Sequence, residues 1–128
     1  MSACLIDRMN ETRSCHIITI EDPIEFLHSH KKSIVSQREV YHDTASYLNA
    51  LKSALREAPE VILLGEIRNE ETVSTALSAA ETGHLILSAL HTVGAVNTID
   101  CIIDMFQDHQ DQVRSQLSMI LEATLVSN

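Results

Sequence analysis

The chain has 128 residues, 45% of them hydrophobic, which is enough for one compact α/β domain and too few for two. Its 9 Lys and Arg against 18 Asp and Glu give a formal net charge of -9, which argues against nucleic acid as a partner because the summed field repels phosphate backbones. No run approaches the roughly 20 apolar residues of a membrane span, and three widely spaced cysteines fit a reducing compartment, so we expect a cytoplasmic protein without membrane insertion.

Apolar spacing, turn formers and helix caps divide the chain into nine predicted elements. In chain order they are a helix over 3–12, a strand over 16–20, a strand over 33–40 after a polar loop, a helix between an Asp43 or Thr44 cap and Pro59, a strand over 61–64, a helix between an Asn69 cap and Gly83, a strand over 85–90, and helices over 94–105 and 110–126. Strands that alternate with helices favour an α/β fold, a mostly parallel sheet flanked by helices.

Polar residues follow three of the predicted strands directly. The first strand runs into Glu21, Asp22 and Glu25, the strand over 61–64 runs into Glu66, and the last strand runs into His91. In an open parallel sheet, loops at the carboxyl ends of the strands line the ligand crevice. Carboxylates there can hold Mg²⁺ through water and activate an attacking water, the two tasks of nucleotide hydrolysis. A single Glu would more simply be a solvated strand end, but three matched junctions favour a site.

Three segments that contain these junctions resemble the signatures of a known family. IITIEDPIEF, SALREAPEVILLGEIRNEET and TGHLILSALHT resemble the Asp box, the Walker B segment and the His box of the secretion ATPases that drive type IV pili and type II secretion. The run KKSIVSQREVYHDT resembles the pilus retraction ATPases more than the extension or secretion ones. The resemblance implies a partial RecA-like P-loop NTPase core, one truncated domain over residues 1–128, and membership of a hexameric motor that retracts pili in twitching motility.

The same resemblance implies a role for each junction residue. Glu25 would be the general base that deprotonates water, with Glu21 and Asp22 supporting it or the metal. Glu66 would be the Walker B carboxylate that holds Mg²⁺ through water. His91 would sense the γ-phosphate, since an imidazole can donate a hydrogen bond there.

Four further residues receive roles by resemblance. His84 would be the companion of His91, while Arg38, Arg56 and Arg68 lie in segments that place arginines between hexamer subunits, with Arg56 the favoured residue for a role in trans. A planar guanidinium stabilises phosphoryl charge on a neighbour's nucleotide. From composition alone, a capping or core role for each His and a salt bridge for each Arg remain open.

The sequence contains no phosphate-binding loop. That loop requires G-x-x-x-x-G-K-[ST], because its glycines let backbone N–H groups wrap the phosphates, and the three glycines here, Gly65, Gly83 and Gly94, do not fit. In the family the loop and its strand precede the helix that begins near Ala3, so we expect a fragment with an open sheet edge. ATP and Mg²⁺ are implied as cofactors, but we expect no useful ATPase activity from these residues alone.

The resemblance implies a homo-hexamer or a full-length homologue as partner, and an inner-membrane pilus platform protein that would hold the chain at the periphery of the membrane. A non-catalytic module that joins full-length subunits and an extension or type II secretion homologue are alternatives. A metal hydrolase built on Glu66, His84 and His91 is a third, whereas His28 and His30 lack a third ligand at zinc-site spacing.

Overall fold

The computed structural model describes residues 2–40, 46–67, 69–90 and 92–124. The described residues form α1 (Ser2–Thr12), β1 (His16–Glu21), β2 (Ile34–Glu39), α2 (Tyr47–Leu55), β3 (Val61–Leu64), α3 (Glu70–Glu81), β4 (Leu85–Ser88), α4 (Ala95–Asp104) and α5 (Gln110–Ile120). Their order and type are those predicted from the sequence. None of these helices has the length and apolar character needed to cross a bilayer.

The four strands form one sheet in the order β2-β1-β3-β4, and every neighbouring pair is parallel. Residues Val61–Leu64 of β3 are all buried, as expected for a central strand that is covered on both faces. Beside it, β1 is buried from Ile17 to Ile20. The mostly parallel sheet predicted from the alternating elements is therefore confirmed.

Helices cover both faces of the sheet. On one face α1 packs with inward residues of three strands, in a cluster of Ile6, Cys15, Ile17, Val35, Val61 and Leu63. On the other face α2 and α3 pack over a cluster that includes Ile18, Ile20, Leu51, Ala54, Ile62 and Leu64. Helices α4 and α5 lie against the outer side of α3, where the buried residues are Val73, Leu77, Ile103, Phe106, Val113 and Leu117.

The predicted length of the last helix was wrong. Helix α5 ends at Ile120 rather than Val126, and Leu121 has extended backbone angles. Most helical stability in proteins comes from packing of an apolar face. Ile120 still packs against the apolar cluster beside α3, but Leu121, the next residue, is 42% exposed, and Met119 is 75% exposed. The periodic apolar residues of this segment therefore do not extend the helix.

The predicted cap of α2 was also misplaced. Its N-cap is Ser46, whose hydroxyl oxygen accepts a hydrogen bond from the Asn49 backbone N–H at 3.1 Å. Asp43 and Thr44, which the sequence suggested as caps, lie outside the described residues.

Strand β4 ends at Ser88 rather than Leu90, because the neighbouring strand β3 pairs with it only as far as Leu64 and Ser88.

Candidate functional site

The carboxyl ends of the strands meet at one edge of the sheet because all four strands are parallel. In the register of the sheet Ile20 lies opposite Leu64, and Leu64 lies opposite Ser88. Glu21 comes one residue after Ile20, at the end of β1, and Glu66 comes two residues after Leu64, just beyond the end of β3. The structure brings the first two predicted acidic junctions together, and we call this place the acidic edge. His91, which follows β4, lies outside the described residues.

A glycine allows the two central strands to approach closely at the acidic edge. The Gly65 backbone N–H donates to the Ile20 carbonyl oxygen at 2.8 Å. A Cβ atom at position 65 would lie 3.2 Å from that oxygen, 3.2 Å from the Tyr47 hydroxyl oxygen and 3.4 Å from the Glu21 Cα atom. Glycine is the residue that permits such an approach of two backbones. It places Glu66, which is half-buried, next to the end of β1.

Two side chains form hydrogen bonds to the Glu21 carboxylate. Thr19, which is fully buried, donates from its hydroxyl group to Glu21 Oε2 at 3.0 Å. Gln37 Nε2 lies 3.4 Å from the same oxygen. Thr19 and Gln37 lie opposite each other in the β1–β2 register, so both approach Glu21 from the same face of the sheet. The hydrogen bonds fix the direction of one carboxylate at the acidic edge.

The loop after β1 carries the other two predicted acidic residues. Asp22 and Glu25 are exposed, and the loop leaves β1 through a cis peptide bond between Asp22 and Pro23. The Ile24 backbone N–H donates to Glu39 Oε1 at 2.9 Å. This contact ties the residue before Glu25 to the end of β2.

A buried hydroxyl at the same level of the sheet lacks a partner among the residues that the structure describes. Ser88 Oγ, at the carboxyl end of β4, is shielded from solvent and makes no hydrogen bond to them. Buried polar groups are nearly always satisfied by protein or water. A further polar group beside Ser88, at the carboxyl end of β4, would therefore be stabilised by a hydrogen bond to this hydroxyl.

His84 lies at the other end of β4. Its Nδ1 atom is 3.2 Å from the Ala79 carbonyl oxygen and 3.3 Å from Thr82 Oγ1, both at the end of α3. At about 3.3 Å per residue, the four residues of β4 separate it from the acidic edge by roughly 13 Å. The described contacts are those of a helix-capping residue, and the structure does not bring His84 together with Glu21 and Glu66.

The three predicted arginines occupy different environments. Arg38 Nη2 forms an ion pair with Glu57 Oε2 within the chain, which is the salt bridge that composition left open. Arg56 is the exposed C-cap residue of α2, in the connection that enters β3 at its amino end. Arg68 lies outside the described residues. Within the part of the chain that the structure describes, neither Arg38 nor Arg56 forms an ion pair with a predicted acidic site residue.

Metal-binding groups and surface depressions do not identify a second site. Across residues 2–40, 46–67, 69–90 and 92–124, no three His, Cys, Asp or Glu side chains are arranged to hold a metal ion. One depression lies along α4, lined by Asn97, Asp100, Cys101, Asp104 and Met105, and another lies between α2 and α3, lined by Leu48, Lys52, Glu70, Glu71, Ser74 and Thr75. Neither includes a predicted site residue.

A family model described as type II/IV secretion system protein matches residues 3–128. The chain belongs to this family. It is 54% identical over 127 residues to a twitching motility protein of Neisseria gonorrhoeae, a match that covers 98% of the chain and 34% of that relative. It is 51% identical over 124 residues to the type IV pilus retraction ATPase PilT of Pseudomonas aeruginosa, covering 96% of the chain and 36% of the relative.

A solved structure shows the same fold. The crystal structure of the pilus retraction motor PilT with bound ADP superposes with a TM-score of 0.90 and 59% identity, over 94% of this chain and 35% of that one. The chain thus has part of a RecA-like core and spans about a third of the length of the relatives it matches. The resemblance to pilus retraction ATPases drawn from the sequence is confirmed at the level of the family.

Sequence reasoning missed the residues that hold the acidic junctions. Thr19, Gln37 and Glu39 contact Glu21 or the loop that follows it. They lie within the segments IITIEDPIEF and KKSIVSQREVYHDT, but the sequence patterns assigned none of them a role. The signal for Thr19 was its position as a polar residue inside the apolar run IITIE. Gln37 and Glu39 gave no comparable signal, because their partners are in an irregular loop at distant sequence positions.

Proposed function

We propose that this chain forms the acidic part of the nucleotide site in an ATP-hydrolysing motor that retracts type IV pili. The observation that carries the proposal is the close packing of Gly65 on β1, which sets Glu66 beside Glu21 at one sheet edge. The 54% and 51% identities to proteins named for twitching motility and pilus retraction favour pilus retraction over pilus extension or secretion as the work of the motor.

The roles rest on the resemblance of the junction segments to the family's signatures and agree with what each group can do chemically. We assign Glu66 to the Walker B position, where its carboxylate would hold Mg²⁺ through water, and Glu25 to the general base that takes a proton from the attacking water. Glu21 and Asp22 would support the base or the metal, and His91 would donate a hydrogen bond to the γ-phosphate. His84 has no part in the proposed site.

The residues at the acidic edge fit a hard divalent cation. They offer carboxylate oxygens, the ligands that Mg²⁺ prefers, and the Ser88 hydroxyl, which has no hydrogen-bond partner among the described residues, lies at the same level of the sheet. When bound, the ion would neutralise charge that develops on the phosphates. These carboxylates would repel a polyphosphate in the absence of a cation, so the residues that cradle the phosphates must be basic or rich in backbone N–H groups.

No segment of this sequence supplies that cradle, since its three glycines do not fit a phosphate-binding loop. We therefore propose that the 128 residues form one partial RecA-like domain that does not hydrolyse ATP at a useful rate alone. The motor would be a homo-hexamer in the cytoplasm, docked on an inner-membrane pilus platform protein. Arg56, exposed and remote from the acidic edge of its own chain, and Arg68 would act on a neighbouring subunit's nucleotide.

A hybrid protein tests this proposal. The chain would replace the matching 127-residue segment of the Neisseria gonorrhoeae protein, and ATP hydrolysis would be compared with that of the isolated chain. We expect Mg²⁺-dependent hydrolysis by the hybrid and none above buffer by the chain alone. A folded hybrid without hydrolysis, or turnover by the isolated chain, would contradict the proposal.

A non-catalytic module that joins full-length subunits is the second candidate. It is favoured by Arg56, which is exposed and lies in the connection that enters β3 at its amino end, away from the acidic edge of its own chain. The isolated chain would then alter the ATPase rate of the full-length gonococcal relative when the two are mixed. A rate that is unchanged by excess chain would exclude this function.

A further inference from the structure

The loop that carries Glu25 is attached to one face of β2 by two side chains. Gln37 Oε1 accepts from the His28 backbone N–H at 2.8 Å, and Gln37 Nε2 donates to the Phe26 carbonyl oxygen at 2.7 Å. Glu39 Oε1 accepts from the Ile24 backbone N–H at 2.9 Å. Glu25 therefore lies between two residues whose backbone groups are held by β2.

The spacing of these contacts follows from strand geometry. Side chains two residues apart in a strand point to the same face, so Gln37 and Glu39 both reach the loop. The amide of Gln37 bonds to the backbone carbonyl of residue 26 and to the backbone N–H of residue 28. It thus replaces the backbone partners that the irregular segment would have in a sheet.

Asn10 of α1 holds the far end of the loop. Its fully buried amide donates to the Ser29 carbonyl oxygen at 2.6 Å and accepts from the backbone N–H groups of Lys31 at 3.1 Å and Ser33 at 3.3 Å. The path of residues 24–33 is thus set by side-chain contacts at both ends.

Apolar packing contributes little to the position of Glu25. Phe26 is 54% exposed and Leu27 is 79% exposed, so the residues that follow Glu25 are not anchored in a core. The hydrogen bonds from β2 are the contacts that restrict this part of the loop. Their loss would free the backbone on both sides of Glu25.

We infer that Gln37 and Glu39 are positioning residues for Glu25, which rests on the proposed role of Glu25 as general base. A base must lie within hydrogen-bond reach of the proton it takes, and a misplacement of about 1 Å can lower the rate about 100-fold. Neither residue needs to touch the nucleotide to affect hydrolysis.

Amide hydrogen exchange of the 128-residue chain tests the attachment itself. Since one hydrogen bond contributes about 1 kcal/mol, we expect Gln37→Met to speed exchange of the His28 amide roughly three- to tenfold and Glu39→Ala to do the same for Ile24. Glu39→Gln keeps an acceptor oxygen and should leave Ile24 protected. The matched control is Ser36→Ala, which removes the contact of a neighbouring β2 residue to His16 on the opposite face. Unchanged exchange at both amides would overturn the inference.

Steady-state kinetics of the hybrid test the functional consequence. We expect Gln37→Met and Glu39→Ala to lower kcat about tenfold or more with little change in KM for ATP, and Glu39→Gln and Ser36→Ala to retain kcat. Gln37→Met also removes a contact to Glu21, whereas Glu39→Ala does not. A similar fall in kcat in both variants would therefore show that the loss of the loop contacts lowers the rate.

The outcomes separate this inference from the function on which it rests. An active hybrid whose kcat is unaffected by Gln37→Met and Glu39→Ala would overturn the positioning role alone. A folded but inactive hybrid would overturn the proposed function and the positioning role together. In that case the exchange measurement still decides whether β2 holds the loop.

Discussion

At Gly65 the end of β3 comes within van der Waals distance of the end of β1. The two atoms that a side chain at position 65 would meet first are the Ile20 carbonyl oxygen and the Tyr47 hydroxyl oxygen. The carbonyl belongs to the sheet and cannot rotate away, whereas the hydroxyl is at the end of a side chain. The backbone of β1 therefore limits the size of the side chain that position 65 can accept.

We expect Gly65→Ala to lower the free energy of unfolding by about 1–3 kcal/mol, because an added methyl group overpacks this junction. Urea unfolding would measure the change. In a Tyr47→Phe background, where one of the two oxygens is absent, the same substitution should cost less. A Gly65→Ala chain as stable as the wild type would contradict the close approach of the strands.

Glu25 is an exposed residue whose proposed role is chemical, so its substitution should separate activity from stability. In the hybrid we expect Glu25→Gln to lower kcat by about 10²–10⁴-fold, the usual contribution of a general base. The melting temperature should not change, since the side chain is exposed. Retention of full kcat by Glu25→Gln would refute its assignment as the base.

Helix α3 begins with a side-chain cap at Asn69. Asn69 Oδ1 accepts from the Thr72 backbone N–H at 2.9 Å and from the Thr72 hydroxyl group at 3.0 Å. Glu70 and Glu71 then lie in the first turn, where the helix dipole favours negative charge. The cap fixes where α3 begins and hence how many residues separate it from β3.

Replacement of this cap should have a measurable cost. We expect Asn69→Ala to lower the free energy of unfolding by about 1 kcal/mol, the usual value for loss of an N-cap, whereas Asn69→Asp keeps the acceptor and should cost much less. Chemical denaturation of both variants provides the comparison. Equal losses in the two variants would show that the accepting oxygen is not what stabilises the helix.

The elements that could be predicted are those whose signal is local. The strand over Val61–Leu64, the Asn69 cap and the termination of α3 at Gly83, whose φ is 98°, were all readable from neighbouring residues. The overextension of α5 arose because periodic spacing does not reveal whether another element covers the apolar face.

The candidate site was predictable only in part, for the same reason. Parallel strands alone were sufficient to bring Glu21 and Glu66 to one edge. The capping contacts of His84 and the ion pair of Arg38 depend on how α3 and α2 end, which spacing does not reveal. The contacts of Gln37 depend on the path of a loop without secondary structure.

At the scale of the whole molecule, an ion-pair cluster joins α1 to the long loop after β1. Lys31 Nζ lies 2.8 Å from Asp7 Oδ1 and 3.1 Å from Glu11 Oε1. The hydrogen bond from Lys31 lowers the pKa of Asp7 below its usual 3.8, and hydrogen bonds to Asp7 and Glu11 raise the pKa of Lys31 above 10.5. All three side chains are on the surface, so the stabilisation is small and sensitive to salt.

The sign of these shifts predicts an effect of acid. Because the pKa of Asp7 is lower in the folded chain, the unfolded chain binds more protons, so the stabilisation is present above about pH 4 and is lost as the pH falls through the folded value. Between pH 7 and pH 3 we expect the urea midpoint of Asp7→Asn to fall less than that of the wild type. Asp100→Asn, on α4, serves as the control. An identical acid response of wild type and Asp7→Asn would contradict this linkage.

Strand β4 is one of the two edge strands of the sheet, and no other described strand pairs with the side that faces away from β3. Its apolar residues Leu85, Ile86 and Leu87 are only half-buried. Two molecules that met along this strand could continue each other's hydrogen-bond ladder. The concentration and age of a preparation would then influence any rate measured on it, so sedimentation across a dilution series should come before the kinetics.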